Sequence, residues 1–497
     1  MLDKKYSEYY KEANKAVLNN NYESAIEYYK KSLDLKKNDL ICLNELGTLY
    51  EKLNRLYEAI ECYKKVISFE NNIYKIIITL NQIGVCYTNL KEFTNAIEYF
   101  EKILPIKNDM TDIYNNIAYC YFQLKNFKLT EVNYYNSLRI EKAARVYWAL
   151  GDLYFYTKKY DLSIKCYEKV DDYETNSVIK YNCCFPYLAQ KKFIEGFNLY
   201  ENRINFNNIC QQTNQAQRLE IPHIDYWDGE KECNNLLIIY EQGIGDNIQY
   251  YRFIVELAEL YPNMRIDYFC KDSVQHIFKE YNNIHIIKMV VVTDYDYDYK
   301  LYIMSLPYIL KISTINPNTK NYINVNDNKV EFWKNELSHL KKYKIGFTYN
   351  GLLASIIDKN IPFSEFIKLL DNNDIDLICI HKLDELEDEY KNNYKDKITF
   401  IDIDKDIPFE DTIAVLQNID LLITIDTFIV HLAGILNVKT WLLLGYVSDW
   451  RWFNDNSSCN WYNSVELLRM RENKEFKCIL SQVNEKLQKL CSDNNDK

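Results

Sequence analysis

The stretch that decides the predicted fold of the C-terminal part is Leu236–Phe253, LLIIYEQGIGDNIQYYRF. Its apolar run Leu236–Tyr240 predicts a buried strand, the two glycines predict a tight turn, and a helical pattern follows Asp246. Ligands bind at such turns in open α/β sheets, where Gly243 and Gly245 would let backbone N–H groups approach an anion. Asp246 would then lie at the mouth of a cleft. The simpler alternative is that the glycines only form the turn and Asp246 only caps the helix.

A second stretch, Leu421–Leu444 (LLITIDTFIVHLAGILNVKTWLLL), has the same order of elements. An apolar strand ends at the polar turn Asp426-Thr427, and a helix with His431 and Gly434 precedes another apolar strand. Two strand-turn-helix units with polar residues at the strand ends predict two facing Rossmann-like halves. Their sheets are expected to be parallel and doubly wound.

Composition limits the classes of partner. The chain has 497 residues, enough for two or three domains, with a net charge of −11 and a pI near 5.3. This acidity argues against nucleic acid or an anionic membrane as a general partner, since both require a basic face. The first fifteen residues show no secretory signal pattern and no transmembrane segment is apparent, so we expect a cytoplasmic protein. The 14 cysteines are scattered, which predicts reduced buried thiols.

Residues 1–203 contain a repeat whose first two units are 34 residues apart. Each of six units has a small residue in its first helix: Ala13, Gly47, Gly84, Ala118, Gly151 and Cys184. Sixteen places further stands an aromatic residue: Tyr29, Tyr63, Phe100, Tyr134, Tyr167 and Tyr200. The pattern resembles the tetratricopeptide repeat, which implies a solenoid of helical hairpins with a concave surface.

Asparagine recurs in the first helix of units two, three and four, at Asn44, Asn81 and Asn115. By repeat register these side chains are expected to line the groove, where amides can bind the backbone of an extended peptide. The alternative is that asparagine is simply common in this chain.

The pattern after the repeats predicts three further segments. Residues 204–232 form a polar connector, 233–335 form a first Rossmann-like half, and 336–497 form a second Rossmann-like half. Strands are predicted near Leu236, Arg265, Ile284 and Lys300 in the first half, and helices over Asp246–Tyr261 and Asp272–Tyr281. The second half has predicted strands near Lys344, Ile375, Ile398, Leu421 and Trp441, and a closing helix over Lys474–Cys491.

Several motifs together resemble one family. They are E-Q-G-I-G-D at Glu241, S-L-P at Ser305, D-T-x-x-x-H-L-A-G from Asp426 to Gly434, and D-W-R-W from Asp449 to Trp452. The constellation is similar to the bacterial ADP-heptose:lipopolysaccharide heptosyltransferases, in the variant that places tetratricopeptide repeats before the transferase domain. The resemblance implies two facing Rossmann-like domains, the arrangement known as GT-B. It also implies a nucleotide-diphosphate sugar as donor substrate, held mainly by the half formed by residues 336–497. The acceptor would approach the half formed by residues 233–335.

The resemblance assigns roles to particular residues. Asp246 matches the general base that takes the proton of the acceptor hydroxyl. The nucleotide-sugar site would be formed by Gly243, Gly245, Asn350, Lys359, Asp426, Thr427, His431 and Arg451. The simpler readings are a helix cap for Asp426, a core histidine for His431 and an ion pair with Asp449 for Arg451.

We expect neither a metal nor a cofactor. The chain contains D-x-D at Asp294 and Asp296, the metal signature of the other major glycosyltransferase fold. Here it precedes the strand predicted near Lys300 in a Tyr-Asp repeat, which indicates a solvated strand entry. In the two-domain fold, protein groups stabilise the departing diphosphate.

Three hypotheses follow. The first is a glycosyltransferase that modifies a glycan or protein acceptor, with the repeats binding a protein partner or the acceptor. The second is a non-catalytic adaptor, a peptide-binding solenoid joined to a degenerate transferase-like domain. The third is a protein O-glycosyltransferase of the O-linked N-acetylglucosamine type, which shares the architecture but fits the C-terminal motifs less well.

Overall fold

The structure, a computed structural model, describes the chain except residues 1, 206–223, 289–295, 350–362, 364–366, 368–373, 381–387, 454–457, 472–476 and 496–497. It divides into two compact units, Met1–Tyr173 and Glu174–Lys497. The helical repeats followed by an α/β region with parallel sheets were predicted, and both are confirmed.

The first unit consists of five helical hairpins. Their helices are α1 (Leu2–Leu18), α2 (Tyr22–Leu35), α3 (Leu40–Lys52), α4 (Leu56–Phe69), α5 (Ile73–Asn89), α6 (Phe93–Glu101), α7 (Thr111–Gln123), α8 (Phe127–Ile140), α9 (Ala144–Tyr156) and α10 (Tyr160–Tyr167). The small and aromatic positions of the repeat meet inside each hairpin. A Cβ added at Gly84 would lie 2.4 Å from the Phe100 ring, and one added at Gly151 would lie 2.5 Å from the Tyr167 ring. Glycine therefore allows the two helices to approach closely, as the repeat pattern predicted.

The sixth hairpin, α11 (Ser177–Ala189) and α12 (Phe193–Tyr200), belongs to the second compact unit. Phe193 packs edge-to-face on Phe453, and Phe197 packs edge-to-face on Trp450. A 3-10 turn, Glu201–Asn205, follows α12. The repeat pattern predicted a domain boundary at residue 203. The compact units instead meet between residues 173 and 174, before α11, because the sixth hairpin packs on the D-W-R-W segment.

The first sheet has four parallel strands in the order β3-β2-β1-β4. Their bounds are β1 Asn235–Ile239, β2 Arg265–Phe269, β3 Ile284–Ile287 and β4 Tyr299–Tyr302. Helix α13 (Ile244–Leu260) connects β1 to β2, and the short helix α14 (Leu306–Ile309) follows β4. The sequence predicted a helix over Asp272–Tyr281, and this is wrong. Only a 3-10 turn, Asp272–Ile277, forms there, because Phe278 leaves it in an extended conformation to pair with Ile323.

The second sheet has six parallel strands in the order β10-β9-β8-β5-β6-β7. Its strands are β5 Tyr343–Phe347, β6 Ile375–Cys379, β7 Ile398–Phe400, β8 Leu421–Ile425, β9 Thr440–Leu444 and β10 Val465–Arg469. The described helices around it are α15 (Asp327–Glu336), α16 (Asp388–Tyr394), α17 (Glu410–Leu416), α18 (Phe428–Ile435) and α19 (Lys477–Asn495). Ile345, Ile423 and Leu443 form its buried core with side chains of α19. The sequence placed the limit between halves at 335/336, whereas α15 packs on helix α17 of the second half. The Trp333 indole donates a hydrogen bond to Asp411 on α17.

Candidate functional site

The turn after β1 is built as the glycine pattern predicted. Gln242 has a φ of +64°, Gly243 caps α13, and Asp246 is the third residue of that helix. The Oδ2 atom of Asp246 accepts a hydrogen bond from the backbone N–H of Gly243 at 3.0 Å. Asp246 therefore caps the start of α13 with one of its two carboxylate oxygens.

The other carboxylate oxygen of Asp246 is bound by Arg451. The Nη2 atom of Arg451 donates to Oδ1 of Asp246 at 2.6 Å, and Nη1 donates to Asp449 at 3.0 Å. Its Nε atom donates to the Gln249 side-chain oxygen at 3.1 Å, and its guanidinium lies 5.2 Å from the Trp450 ring. Arg451 thus forms the ion pair with Asp449 that the simpler interpretation predicted. It also joins the D-W-R-W segment to α13 through Asp246.

The surroundings of this ion pair shift its protonation equilibria. Burial raises the pKa of Asp246 above its usual value, against the lowering effects of Arg451 and the Gly243 N–H, while Asp449 and Asp426 raise it further. Burial lowers the pKa of Arg451, but Asp449 and Asp246 together raise it well above the ordinary value. The pair therefore combines a permanent cation with a carboxylate whose proton affinity is increased.

The second polar turn faces the first. Thr427 caps α18 from an extended conformation and makes no side-chain capping hydrogen bond. A Cβ added at Gly245 would lie 3.2 Å from both the Phe428 Cα and the His431 ring. Glycine at 245 therefore permits direct contact between the N-termini of α13 and α18, so the ends of β1 and β8 are brought together across the two sheets.

His431 lies in the core beneath this contact. It is 5% exposed, its Nδ1 atom is 3.0 Å from the Tyr462 hydroxyl, and its ring stacks on Trp452 at 5.6 Å. A Cβ added at Gly434 would lie 2.3 Å from the Tyr462 ring, so this glycine makes room for the same tyrosine. These contacts match the reading of His431 as a core histidine; donor binding by His431 remains a prediction.

The second polar turn adjoins a small cavity among the described residues. A cavity of about 10 Å³ lies at the ends of β8 and β9, lined by Asp426, Gly445, Ser448 and Asp449 among others. It is smaller than a nucleotide, since ligand sites usually enclose about 300–1,000 Å³. This cavity alone therefore would not hold a nucleotide.

Buried polar groups surround the ion pair without partners of their own. The Gln249 amide nitrogen, the Tyr250 hydroxyl and the indole nitrogens of Trp450 and Trp452 make no hydrogen bond within the described parts of the chain. Buried donors without partners are uncommon in proteins, and they mark strain, unseen water or a place for a polar ligand.

The sequence reading missed the residues that hold the first turn in place. Arg203, which is 2% exposed, donates to both carboxylate oxygens of Glu241 at 2.8–3.2 Å. It also donates to Glu201 at 2.6 Å and to the Ser305 hydroxyl at 2.8 Å. On the opposite side, the Asn247 amide donates to the backbone oxygens of Glu241 and Gly243, both at 2.7 Å. The acid of E-Q-G and the serine of S-L-P were visible as motifs, but their common partner was not.

Other predicted site residues lie away from Asp246 or outside the described residues. Asn350 and Lys359 fall outside the described residues, as does Asp294 of the D-x-D motif. The neighbouring Asp298 accepts hydrogen bonds from the backbone N–H groups of Asn234 and Asn235 at 2.7 and 2.9 Å, so it caps the start of β1. No group of three potential metal ligands, and no helix long and apolar enough to cross a membrane, occurs in the described ranges.

The three groove asparagines belong to the first unit. The Asn81 side-chain oxygen accepts a 3.4 Å hydrogen bond from Asn116, and both polar side-chain atoms of Asn115 are buried without a partner among the described residues. Asn44 is partly exposed on α3. Their role in peptide binding remains a prediction.

Known proteins resemble the repeats. The tetratricopeptide repeat family matches residues 8–39, 42–73, 78–109 and 144–176. A tetratricopeptide-repeat-containing protein of Methanocaldococcus jannaschii is 39% identical over 62 residues, which cover 12% of this chain and only 19% of that relative. The N-terminal part therefore contains tetratricopeptide repeats, as predicted, and such repeats suggest a role in protein interaction.

Two solved structures are also similar. A tetratricopeptide repeat protein from Parabacteroides merdae is 19% identical, with a TM-score of 0.36, and the match covers 41% of this chain and 80% of that one. The C-terminal part of a repeat protein from Cytophaga hutchinsonii is 23% identical, with a TM-score of 0.35 and the same two coverages.

Proposed function

We propose that the α/β region is a glycosyltransferase that moves a sugar from a nucleoside-diphosphate sugar to a hydroxyl of a glycan or protein acceptor. The two sheets would be the two Rossmann-like halves of a GT-B fold, with the repeats binding a protein partner or the acceptor. The observation that supports this function best is the meeting of Asp246 from one sheet with Arg451 and the Asp426-Thr427 turn from the other.

In this proposal Asp246 is the general base. A sugar hydroxyl becomes a good nucleophile when a carboxylate takes its proton in the transition state, and a base works best when its pKa lies near the operating pH. The raised pKa of Asp246 moves the carboxylate in that direction. The proton passes from the acceptor oxygen to Asp246 as that oxygen attacks the sugar and the diphosphate departs.

Arg451 would exchange one anion for another. It now binds Asp246 and Asp449 through one terminal nitrogen each, and the same two nitrogens could bind two oxygens of a phosphate. A donor diphosphate that attracts Arg451 would release the carboxylate of Asp246, so donor binding would free the base. Thr427 and the N-terminus of α18 would supply further donors to the diphosphate.

A non-catalytic adaptor is the second candidate function, and the contacts of Asp246 and His431 are compatible with it. Both oxygens of Asp246 are engaged, and His431 is packed in the core. In an adaptor the ion pair would be purely structural, and only the repeats would bind a ligand.

A thermal-shift experiment with a panel of nucleoside diphosphates separates these functions. A ligand that binds only the folded state raises its stability by about 2.7 kcal/mol at a concentration one hundred times its Kd. We expect one nucleotide to raise the Tm and Asp426→Ala to abolish the rise. Asp396→Ala is the matched control, since it removes an exposed carboxylate from the same half. An unchanged Tm with every nucleotide would refute the transferase proposal and support the adaptor.

A further inference from the structure

The largest cavity that we describe lies in the first compact unit, away from the proposed transferase site. It has a volume of about 330 Å³, and its charged lining consists of Arg139, Lys142 and Lys169. We refer to it as the basic cavity. Its volume falls within the usual range of small-molecule sites, about 300–1,000 Å³.

The basic cavity lies where α8 and α10 end and α9 begins. Arg139 is in the last turn of α8, Lys142 is in the connection to α9, and Lys169 follows α10. Tyr147, on the first turn of α9, lies beneath the Lys169 ammonium group, 5.6 Å from ring centre to nitrogen. By repeat register the α9 position equivalent to Asn115 is Trp148, which is not part of this lining, so the basic cavity is distinct from the predicted peptide groove.

The three cations have no carboxylate partners within residues 2–173. Arg139 makes one long hydrogen bond to the Asn136 side chain, at 3.5 Å, and no ion pair is formed by Lys142 or Lys169. Neighbouring cations are paired, for example Arg145 with Asp112 and Lys159 with Glu131. All three side chains are exposed, so they can reach an anion from solvent without first leaving a carboxylate partner.

The repeat scaffold does not require these cations. Arg139 lies five places after the aromatic position of its unit, where the units before and after have Asp34, Ser68, Pro105 and Asp172. Lys142 lies eight places after it, where the other units have Lys37, Asn71, Asn108 and Thr175. Only the fourth unit combines an arginine and a lysine at the two positions, so the combination is a departure from the chain's own pattern.

Apart from Tyr135 and Tyr147, the remaining lining is apolar. Leu138, Leu150 and Cys166 contribute to it, and burial raises the pKa of the Cys166 thiol to about 11, so the thiol is neutral at physiological pH. A ligand in this cavity would therefore meet cations on one side and uncharged surface on the other.

From this geometry we propose that the basic cavity binds a small organic phosphate with an apolar body. The phosphate group would be held by Arg139, Lys142 and Lys169, and the apolar body would lie on Tyr147, Leu138 and Leu150. The role is one of non-covalent binding and does not depend on the transferase proposal.

Calorimetric titration of the full chain at low ionic strength tests this site, with phenyl phosphate, inorganic phosphate and phenol as probes. We expect phenyl phosphate to bind with one-to-one stoichiometry and more tightly than the other two, since only it has both the charge and the apolar body. The double variant Arg139→Gln/Lys169→Gln should weaken this binding about tenfold, because the phosphate loses two of its three cationic partners.

The matched control is Lys128→Gln/Lys165→Gln, which removes two exposed charges from the same helices outside the basic cavity. It should bind phenyl phosphate as the unmodified chain does. Lys142→Gln, a substitution in the connection, provides a second variant if the first fails to fold. Phenol binding as tightly as phenyl phosphate, or unchanged phenyl phosphate affinity in the variants that remove Arg139, Lys169 or Lys142, would overturn the proposal.

Discussion

The guanidinium of Arg451 donates a 2.6 Å hydrogen bond to the carboxylate of Asp246, although the two residues are 205 positions apart in the chain. This ion pair connects the helix after β1 of the first sheet to the segment after β9 of the second sheet. It is therefore both a structural link between the sheets and the chemical centre of the proposed site.

Removal of the Arg451 charge should destabilise the second compact unit. In Arg451→Gln the largely buried Asp246 loses its cation, and we expect a loss of about 2 kcal/mol in the free energy of unfolding, less than for a fully buried pair because Asp246 is 24% exposed. Urea unfolding followed by tryptophan fluorescence is suitable, since six of the seven tryptophans lie in this unit. Lys486→Gln, which breaks a more exposed pair with Glu466, should cost under about 1 kcal/mol. Equal losses in the two variants would contradict the structural role of Arg451.

Arg203 should contribute more to stability than any exposed cation. Arg203→Met leaves the buried Glu241 carboxylate without its partner, and we expect a loss of about 3–5 kcal/mol. The double variant Arg203→Met/Glu241→Gln should recover much of that loss, because it also removes the buried charge. Urea unfolding of the four proteins gives the coupling free energy of the pair. Additive losses would show that Arg203 does not hold the Glu241 turn.

Asp152 should make the first compact unit less stable as the pH rises. Burial raises the pKa of Asp152 from 3.8 to about 6, and a hydrogen bond from Tyr167 partly opposes this. Between these two values the folded state holds more protons than the unfolded state, so the contribution is complete below pH 3.8 and is lost as the pH rises through about 6. We expect a difference of about 1–2 kcal/mol, because the residue keeps some contact with solvent.

Chemical unfolding followed by far-ultraviolet circular dichroism from pH 4 to pH 7 measures this effect. Asp152→Asn should flatten the dependence, while Asp34→Asn, which removes an exposed carboxylate from the same unit, should retain the slope of the unmodified chain. A slope that persists in Asp152→Asn would assign the effect to another group.

The repeats could be predicted well from the sequence because their determinants are local. Gly84 and Phe100 are sixteen places apart in one hairpin, and the structure places the ring directly against the glycine. The strand and turn around Gly243 could be predicted for the same reason, because the apolar run and the two glycines that determine them are adjacent in the sequence. By contrast, β10 was missed because Val465–Arg469 is short and contains Glu466 and Arg469, so its sequence does not stand out as a strand. It pairs with β9 at the edge of the sheet.

The sequence predicted some residues of the candidate site but not their partners. Asp246, Arg451 and Thr427 were named from motifs, but nothing in the sequence indicates that the arginine binds the aspartate rather than a ligand. The Arg203–Glu241 pair was missed altogether because it joins residues 38 positions apart across a segment with no periodic pattern. Such partners are chosen by the tertiary fold, and a single sequence contains no local sign of them.

The most direct test of the proposed transferase is the turnover of a nucleotide sugar, measured as release of the nucleoside diphosphate that the binding panel identifies. The unmodified chain should release it in the presence of an acceptor. Asp246→Asn should retain the nucleotide-induced rise in Tm but lose about 100-fold or more of the transfer rate, the usual effect of removing a general base. Full transfer activity in Asp246→Asn would contradict the assignment of this carboxylate as the base.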